Sequence, residues 1–235
     1  LLSIVSKITG IFSKLPLPTV ILENLGKLLK IDLSDSELKE YSKFRTLHDL
    51  FIRKLSANAR TIQTSAVVSP VDGFLRRAEQ INSGTIIQAK NRSFSVADLL
   101  LIDSKIETGL SLSLYLSPKD YHRVHMPKSG RLDKVTHIPG CLFPVNNPSL
   151  NNIFPLYLNN ERVVCTFDSD TTPWYLVFIA ALNVGGISVT ATDEFTKIDK
   201  IYPSITPLKS PVALNAGDGL GYFSRGSSVI VIMPG

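Results

Sequence analysis

Three groups of residues in this sequence have the types and spacing that chemistry needs. His122 and His125 stand three apart in YLSPKDYHRVHMPKSG (115–130), after a Ser117-Pro118-Lys119-Asp120 stretch that reads as a turn. Two imidazoles this close favour proton transfer, because one stays neutral as a base while the other donates. H-x-x-H is also a metal-pair spacing, but only two ligands are local and no glutamate sits where a metalloprotease helix would place one, so no metal is expected. A surface or structural role for both histidines stays open at this level. Asp72, in SPVDGFL (69–75), reads either as a common turn aspartate or as a carboxylate that orients a histidine. Gly226-Ser227-Ser228 precedes the apolar run Val229 to Met233. Gly-Ser before a strand is ordinarily a turn. It is also where a serine hydroxyl could attack the carbonyl of its own preceding peptide bond, since glycine offers little steric resistance there. Such an attack needs a base beside the hydroxyl. His137 has no evident partner, and His48 falls in a helical stretch.

These residues need a body to position them. The chain has 235 residues, 44% hydrophobic and 19% charged, enough for a real core and unlike a disordered segment. Two cysteines, Cys141 and Cys165, exclude a disulfide-dense scaffold and a four-cysteine zinc module. A net charge of +5 is too small to indicate nucleic acid. After Arg60, short apolar runs alternate with Gly, Pro, Asn and Ser: Ala66 to Val68, Gly84 to Ile87, Leu110 to Leu116, Arg162 to Phe167, Tyr175 to Leu182, Gly186 to Thr192 and Ser228 to Met233. This predicts a strand-rich body with one short helix at Ser95 to Leu101. Helices are predicted earlier, at Asp35 to Phe44 and from Thr46, where Thr46 and Asp49 form a capping pattern. The expected class is α+β, with N-terminal helices over 1–60 and a β-rich domain over 61–235.

Two stretches without charge, Ile138 to Asn160 and Thr171 to Thr192, have the length of a membrane span. The first carries four prolines; the second contains Asn183 and Gly185-Gly186 and reads as two buried strands joined by a glycine turn. The N-terminus differs. Leu1, Ile4, Val5, Ile8, Ile11, Phe12 and Leu15 fall at helical spacing, and Lys7 and Lys14 flank that face. Pro16 and Pro18 break the pattern, and a second one follows at Ile21, Leu22, Leu25, Leu28 and Leu29. Residues 1–60 hold ten basic and six acidic side chains, so most of the basic excess lies here. Two amphipathic helices packed on the domain would explain this, and so would an interfacial anchor on anionic lipid. The first residue is Leu1, so a chain trimmed at its start is expected.

Taken in order, FRTLHDLFIRKL followed by Ala59-Arg60, SPVDG, QAKNRSFSVADLL (88–100), YLSPKDYHRVHMP, HIPGCLFPVN (137–146) and FSRGSSVIVI (223–232) resemble the phosphatidylserine decarboxylase family of pyruvoyl-dependent membrane enzymes. The resemblance implies a zymogen that cuts itself between Gly226 and Ser227. It implies a large chain 1–226 and a small chain from 227 headed by a pyruvoyl group made from Ser227. It gives Asp72, His125 and Ser227 the self-cleavage, with His125 as base oriented by Asp72, and gives His122 the protonation of the former α-carbon. The substrate implied is phosphatidylserine and the product phosphatidylethanolamine. The amine would condense with the pyruvoyl carbonyl, which then takes up the electron pair released with carbon dioxide. The resemblance further implies a barrel-sandwich hybrid-like catalytic domain and a peripheral place on an anionic membrane surface, the cytoplasmic face of the cell membrane. It leaves a homo-oligomer open. Arg225 and Ser228 depart from the family's usual Leu-Gly-Ser-Thr; the serine keeps a hydroxyl, whereas the arginine puts a charge beside the scissile bond. A non-catalytic membrane-binding β module and a pyruvoyl decarboxylase for a soluble amino acid are the alternatives.

Overall fold

The computed structural model describes residues 12–63, 67–168, 172–182, 186–193, 202–224 and 227–235. The apolar pattern over residues 1–11, and Arg225 and Gly226, lie outside them. Helix α1 (Thr19–Leu28) starts after Pro18, whose fixed φ suits a helix entry. It buries Leu22 and Gly26. Gly26 is required by packing, because a Cβ there would stand 2.1 Å from a ring carbon of Tyr41. The opposite side leaves Ile21, Val20 (68% exposed) and Leu28 (77% exposed) in the open. Helix α2 (Leu47–Phe51) has the capping box expected from sequence: the Asp49 N–H donates to Thr46 Oγ1 at 3.0 Å and the Thr46 N–H to Asp49 Oδ2 at 3.1 Å. The helix expected over Asp35 to Phe44 is absent apart from a 3-10 turn at Tyr41–Lys43. Short polar side chains win the competition there. Ser34 donates twice to Asp32, Ser36 Oγ donates to the Lys54 carbonyl, and Ser42 Oγ donates to Glu40. Leu22, Ile31, Leu33, Phe44, Leu50 and Phe51 form a small cluster separate from the main core.

The body carries strands β1 (Phe74–Asn82), β2 (Thr85–Ala89), β3 (Arg92–Ser95), β4 (Thr108–Leu116), β5 (Arg123–His125), β6 (Gly130–Ile138), β7 (Arg162–Asp168), β8 (Trp174–Ile179), β9 (Ile187–Val189), β10 (Ser204–Leu214), β11 (Gly219–Phe223) and β12 (Ser227–Pro234). Three short helices interrupt them: α3 (Val96–Leu100), α4 (Asn147–Asn152) and α5 (Leu156–Asn159). Ser95 caps α3 through the Asp98 N–H, where the sequence placed a helix. Asn146 caps α4 in the same way, a helix the sequence reading missed.

The strands form a nine-stranded antiparallel sheet in the order β10-β6-β7-β8-β12-β4-β1-β2-β3 and a three-stranded sheet β5-β11-β9. The large sheet has edges at β10 and β3, so among the described residues it is open and does not close into a barrel. The α+β class stands. The two strands expected between Thr171 and Thr192 exist as β8 and β9, but they belong to different sheets and do not form a hairpin. Central strands are buried on both faces, which is why their sequences are continuous apolar runs. Val229, Ile230, Val231 and Ile232 in β12 are fully buried, as are Leu176, Val177, Phe178 and Ile179 in β8. No helix among the described residues is long and apolar enough to cross a membrane.

Candidate active site

Strand β12 begins at Ser227, which pairs with Leu116 of β4; Ser228 pairs with Tyr115 of β4 and Ile179 of β8. A serine at the head of a doubly flanked strand is removed from water, and the side chains of Ser227 and Ser228 are fully buried. Neither hydroxyl has a hydrogen-bond partner among the described residues. A buried, unpaired hydroxyl costs about 1–3 kcal/mol, so its persistence marks a position under functional demand.

His122 lies just before β5 and is also fully buried. Its carbonyl accepts from the Phe223 N–H of β11, and its ring packs edge-on against Phe51 of α2 at 5.3 Å. Its Nδ1 is 2.6 Å from the Asp120 carbonyl. A carbonyl only accepts, so Nδ1 carries the proton and Nε2 holds a bare lone pair. That Nε2 is buried without a partner. Burial pushes the imidazole down to about 4, so the ring is neutral near pH 7. The expected turn is present, closed by the Asp120 carboxylate accepting from the Ser117 N–H at 2.7 Å and its hydroxyl at 2.8 Å.

His125 stands three residues further along an extended segment and therefore faces the other way. Its Nδ1 donates to the Gly217 carbonyl at 2.8 Å, which leaves Nε2 to accept from the Tyr121 hydroxyl at 2.9 Å. The two rings stack at 5.6 Å. Burial raises the Tyr121 phenol to about 12, so it is a firm donor. The His125 N–H binds the Pro70 carbonyl, tying β5 to the segment that carries Asp72.

The Asp72 carboxylate is gripped by Arg60, with Nη2 2.6 Å from Oδ2 and Nε within 3.2 Å of both oxygens. Arg60 also reaches Asp35 Oδ2 at 2.8 Å, and the two carboxylates drive its guanidinium pKa upward, against the opposing pull of desolvation. Asp72, Arg60, Tyr121 and His125 line one cavity of about 530 Å³. The fold thus brings Asp72 and His125 to the same space. The orienting contact expected between them is not made, because Arg60 holds the acid and Tyr121 and Gly217 hold the imidazole. Sequence reasoning missed Arg60 and Tyr121 as partners. Tyr121, four residues before His125, gave no pattern signal, and Arg60 was visible only as part of a motif. His137 is 3.3 Å from Glu161, a partner the sequence did not reveal. Among the described residues no three His, Cys, Asp or Glu side chains gather as a metal site.

A serine sealed inside a sheet without a partner suits a protein that acts on its own backbone, the behaviour of a proenzyme. Similar curated proteins carry that word in their names. The phosphatidylserine decarboxylase proenzyme of Alcanivorax borkumensis is 35% identical, over 97% of this chain and 82% of its own length. The protein of the same name from Psychrobacter cryohalolentis is 33% identical over 98% and 84%, and that from Francisella philomiragia 35% over 88% and 76%. The family profile described as phosphatidylserine decarboxylase matches residues 47–235. The chain belongs to the phosphatidylserine decarboxylase family.

Proposed function

We propose that this chain is a phosphatidylserine decarboxylase proenzyme that cuts itself between Gly226 and Ser227, and that the new chain end at 227 becomes a pyruvoyl group. As a family member the chain is a carboxy-lyase whose reaction turns phosphatidylserine into phosphatidylethanolamine. The observation that carries the site assignment is the pair of fully buried, unpartnered atoms, Ser227 Oγ and His122 Nε2.

In self-cleavage the Ser227 hydroxyl adds to the Gly226 carbonyl, the C–N bond gives way to an ester, and elimination across Cα and Cβ then cuts the chain. Hydrolysis of the resulting residue releases ammonia. His125 is the base that takes the hydroxyl proton, and Asp72 orients it. For this, His125 Nε2 gives up the Tyr121 hydroxyl and Asp72 gives up Arg60. The Ser227 position fits the group it is to become: a buried side chain with no hydrogen bond to lose. When present, the pyruvoyl carbonyl supplies an electron sink for the pair left by carbon dioxide. His122 handles the proton in that reaction. Its neutral Nε2 takes up a proton and delivers it to the former α-carbon, and the one proton that decarboxylation consumes is replaced from water.

The N-terminal region, residues 1–60, is the membrane-associating part, and 61–235 the decarboxylase domain. The separate apolar cluster around Leu22 and Phe51 supports this division. Exposed Val20, Ile21 and Leu28 support peripheral attachment to a membrane, with Lys27 beside them already paired with Glu23. The proposed place is the cytoplasmic face of the cell membrane, with an anionic surface. Intact-mass measurement of the purified protein tests the reading. Two chains parted after Gly226, the smaller without a free amine, are expected, and Ser227→Ala stays whole. An active chain left uncut overturns it.

A further inference from the structure

We infer that Arg76 and Lys119 form the binding site for the phosphate of a glycerophospholipid headgroup, with an adjoining apolar cavity taking the start of the acyl chains. This rests on the phosphatidylserine reading above and adds the residues that grip the substrate away from its reacting end.

Two cavities share lining residues near the head of β12. One, of about 720 Å³, has Arg76, Lys119, Asp72 and Asp120 in its lining, although apolar atoms make up most of its surface. The other, of about 490 Å³, is lined mainly by apolar side chains, among them Leu29, Phe51, Pro118 and Leu182. Tyr115 and Asn146 line both. Tyr115 is the register partner of Ser228, and Pro118 and Ala181 continue the chain beyond the β4 and β8 residues that flank Ser227 and Ser228. The shared lining residue Tyr115 is therefore the strand neighbour of Ser228, although neither Ser227 nor Ser228 lines the cavities. Phe51, against which His122 packs, lines the apolar one.

The charges in the first cavity do not cancel one another. Both acids are already engaged, Asp72 by Arg60 and Asp120 by Ser117. Arg76 lies with its guanidinium carbon 4.1 Å from the Tyr115 ring centroid and donates to the Val145 carbonyl. Among the described residues it has no carboxylate partner, and four of its five N–H donors remain unused. Lys119 likewise makes no ion pair among the described residues. A stacked, oriented guanidinium with spare donors matches a phosphate, which it can hold through two oxygens. A molecule with one phosphate joined to two hydrocarbon tails fits a cavity that holds two cations beside a second, mainly apolar cavity. Leu29, directly after the exposed helix α1, marks the apolar cavity as the lipid side, and Phe74 at the first cavity is itself 68% exposed.

The test uses the full chain carrying Ser227→Ala, so that cleavage chemistry plays no part, and measures binding of glycerophosphoserine by calorimetry. Arg76→Gln and Lys119→Gln are each expected to weaken binding about tenfold or more, the scale of a charged hydrogen bond. Arg76→Lys is expected to recover part of the loss, and unfolding midpoints identify any variant whose loss comes from misfolding. Serine, which lacks the phosphate, should lose nothing in either variant. Unchanged glycerophosphoserine affinity in folded variants overturns the site, as does inorganic phosphate binding as tightly as glycerophosphoserine. Failure of the self-cleavage reading shows separately, in the mass of the unmutated chain.

Discussion

Arg60 holds the Asp72 carboxylate at 2.6 Å, and it does so across the mouth of the cavity that also contains His125. The acid proposed to orient the imidazole is thus engaged elsewhere in the uncut chain. The ion pair is partly exposed on both sides, so its contribution to stability is small, about 1 kcal/mol or less. Arg60→Gln is expected to lower the urea-unfolding free energy of the Ser227→Ala chain by no more than that. In the chain that retains Ser227, the same change is expected to alter the self-cleavage rate clearly, since it frees Asp72. A time course of intact mass after cell-free synthesis reads this.

Tyr121 donates to the one His125 nitrogen that could act as a base. Removing that donor leaves the lone pair available. Tyr121→Phe is expected to speed self-cleavage several-fold, in keeping with the loss of one hydrogen bond of about 1 kcal/mol. A slower variant in the same time course would count against His125 as base.

His122 carries a pH signature. Its folded value is about 4 against an ordinary 6.5, because burial disfavours the charged ring. Between those values the unfolded chain binds more protons than the folded one, so stability falls as pH is lowered through this window. The loss is on the order of 3 kcal/mol from about pH 7 to about pH 4. Urea unfolding of the Ser227→Ala chain should show it, and adding His122→Gln should remove that part of the slope while other groups keep theirs.

Ser227 is a buried hydroxyl without a partner, so its removal takes nothing from the fold. Ser227→Ala is expected to leave the chain uncut and to match or raise the unfolding midpoint of the Asp72→Asn chain, which is expected to cut slowly or not at all. A marked drop would mean that the hydroxyl has a structural bond.

Leu28 lies 77% exposed on α1. Leu28→Glu is expected to reduce flotation with vesicles containing anionic lipid several-fold, without changing the unfolding midpoint. Equal flotation would remove α1 from the lipid contact.

Much of the central sheet was legible in the sequence. β7, β8 and β12 are continuous apolar runs because neighbours cover both faces, and short apolar runs bounded by turn residues signal such strands. The Thr46 cap was legible because its two hydrogen bonds are local. β1 was missed because FLRRAEQIN buries only Ile81 fully. β10 was missed because two prolines interrupt it, and its pairing with β6 indeed shifts register between Pro207 and Val212. Ser227 could be singled out from Gly-Ser ahead of an apolar run. The opposed directions of His122 and His125 could not, because β5 is too short for its periodicity to show. Nor could the Arg60–Asp72 pairing, which only the folded chain creates.

β12 is paired along its whole length with β4 and from Ser228 to Ile232 with β8. Severing the backbone after Gly226 would therefore not free a peptide. The excised piece would stay zipped between its neighbours as a prosthetic strand, its new terminus fixed in space by the ladders behind it. On the proposed reading, a carbonyl formed at 227 would inherit the rigidity of the sheet interior.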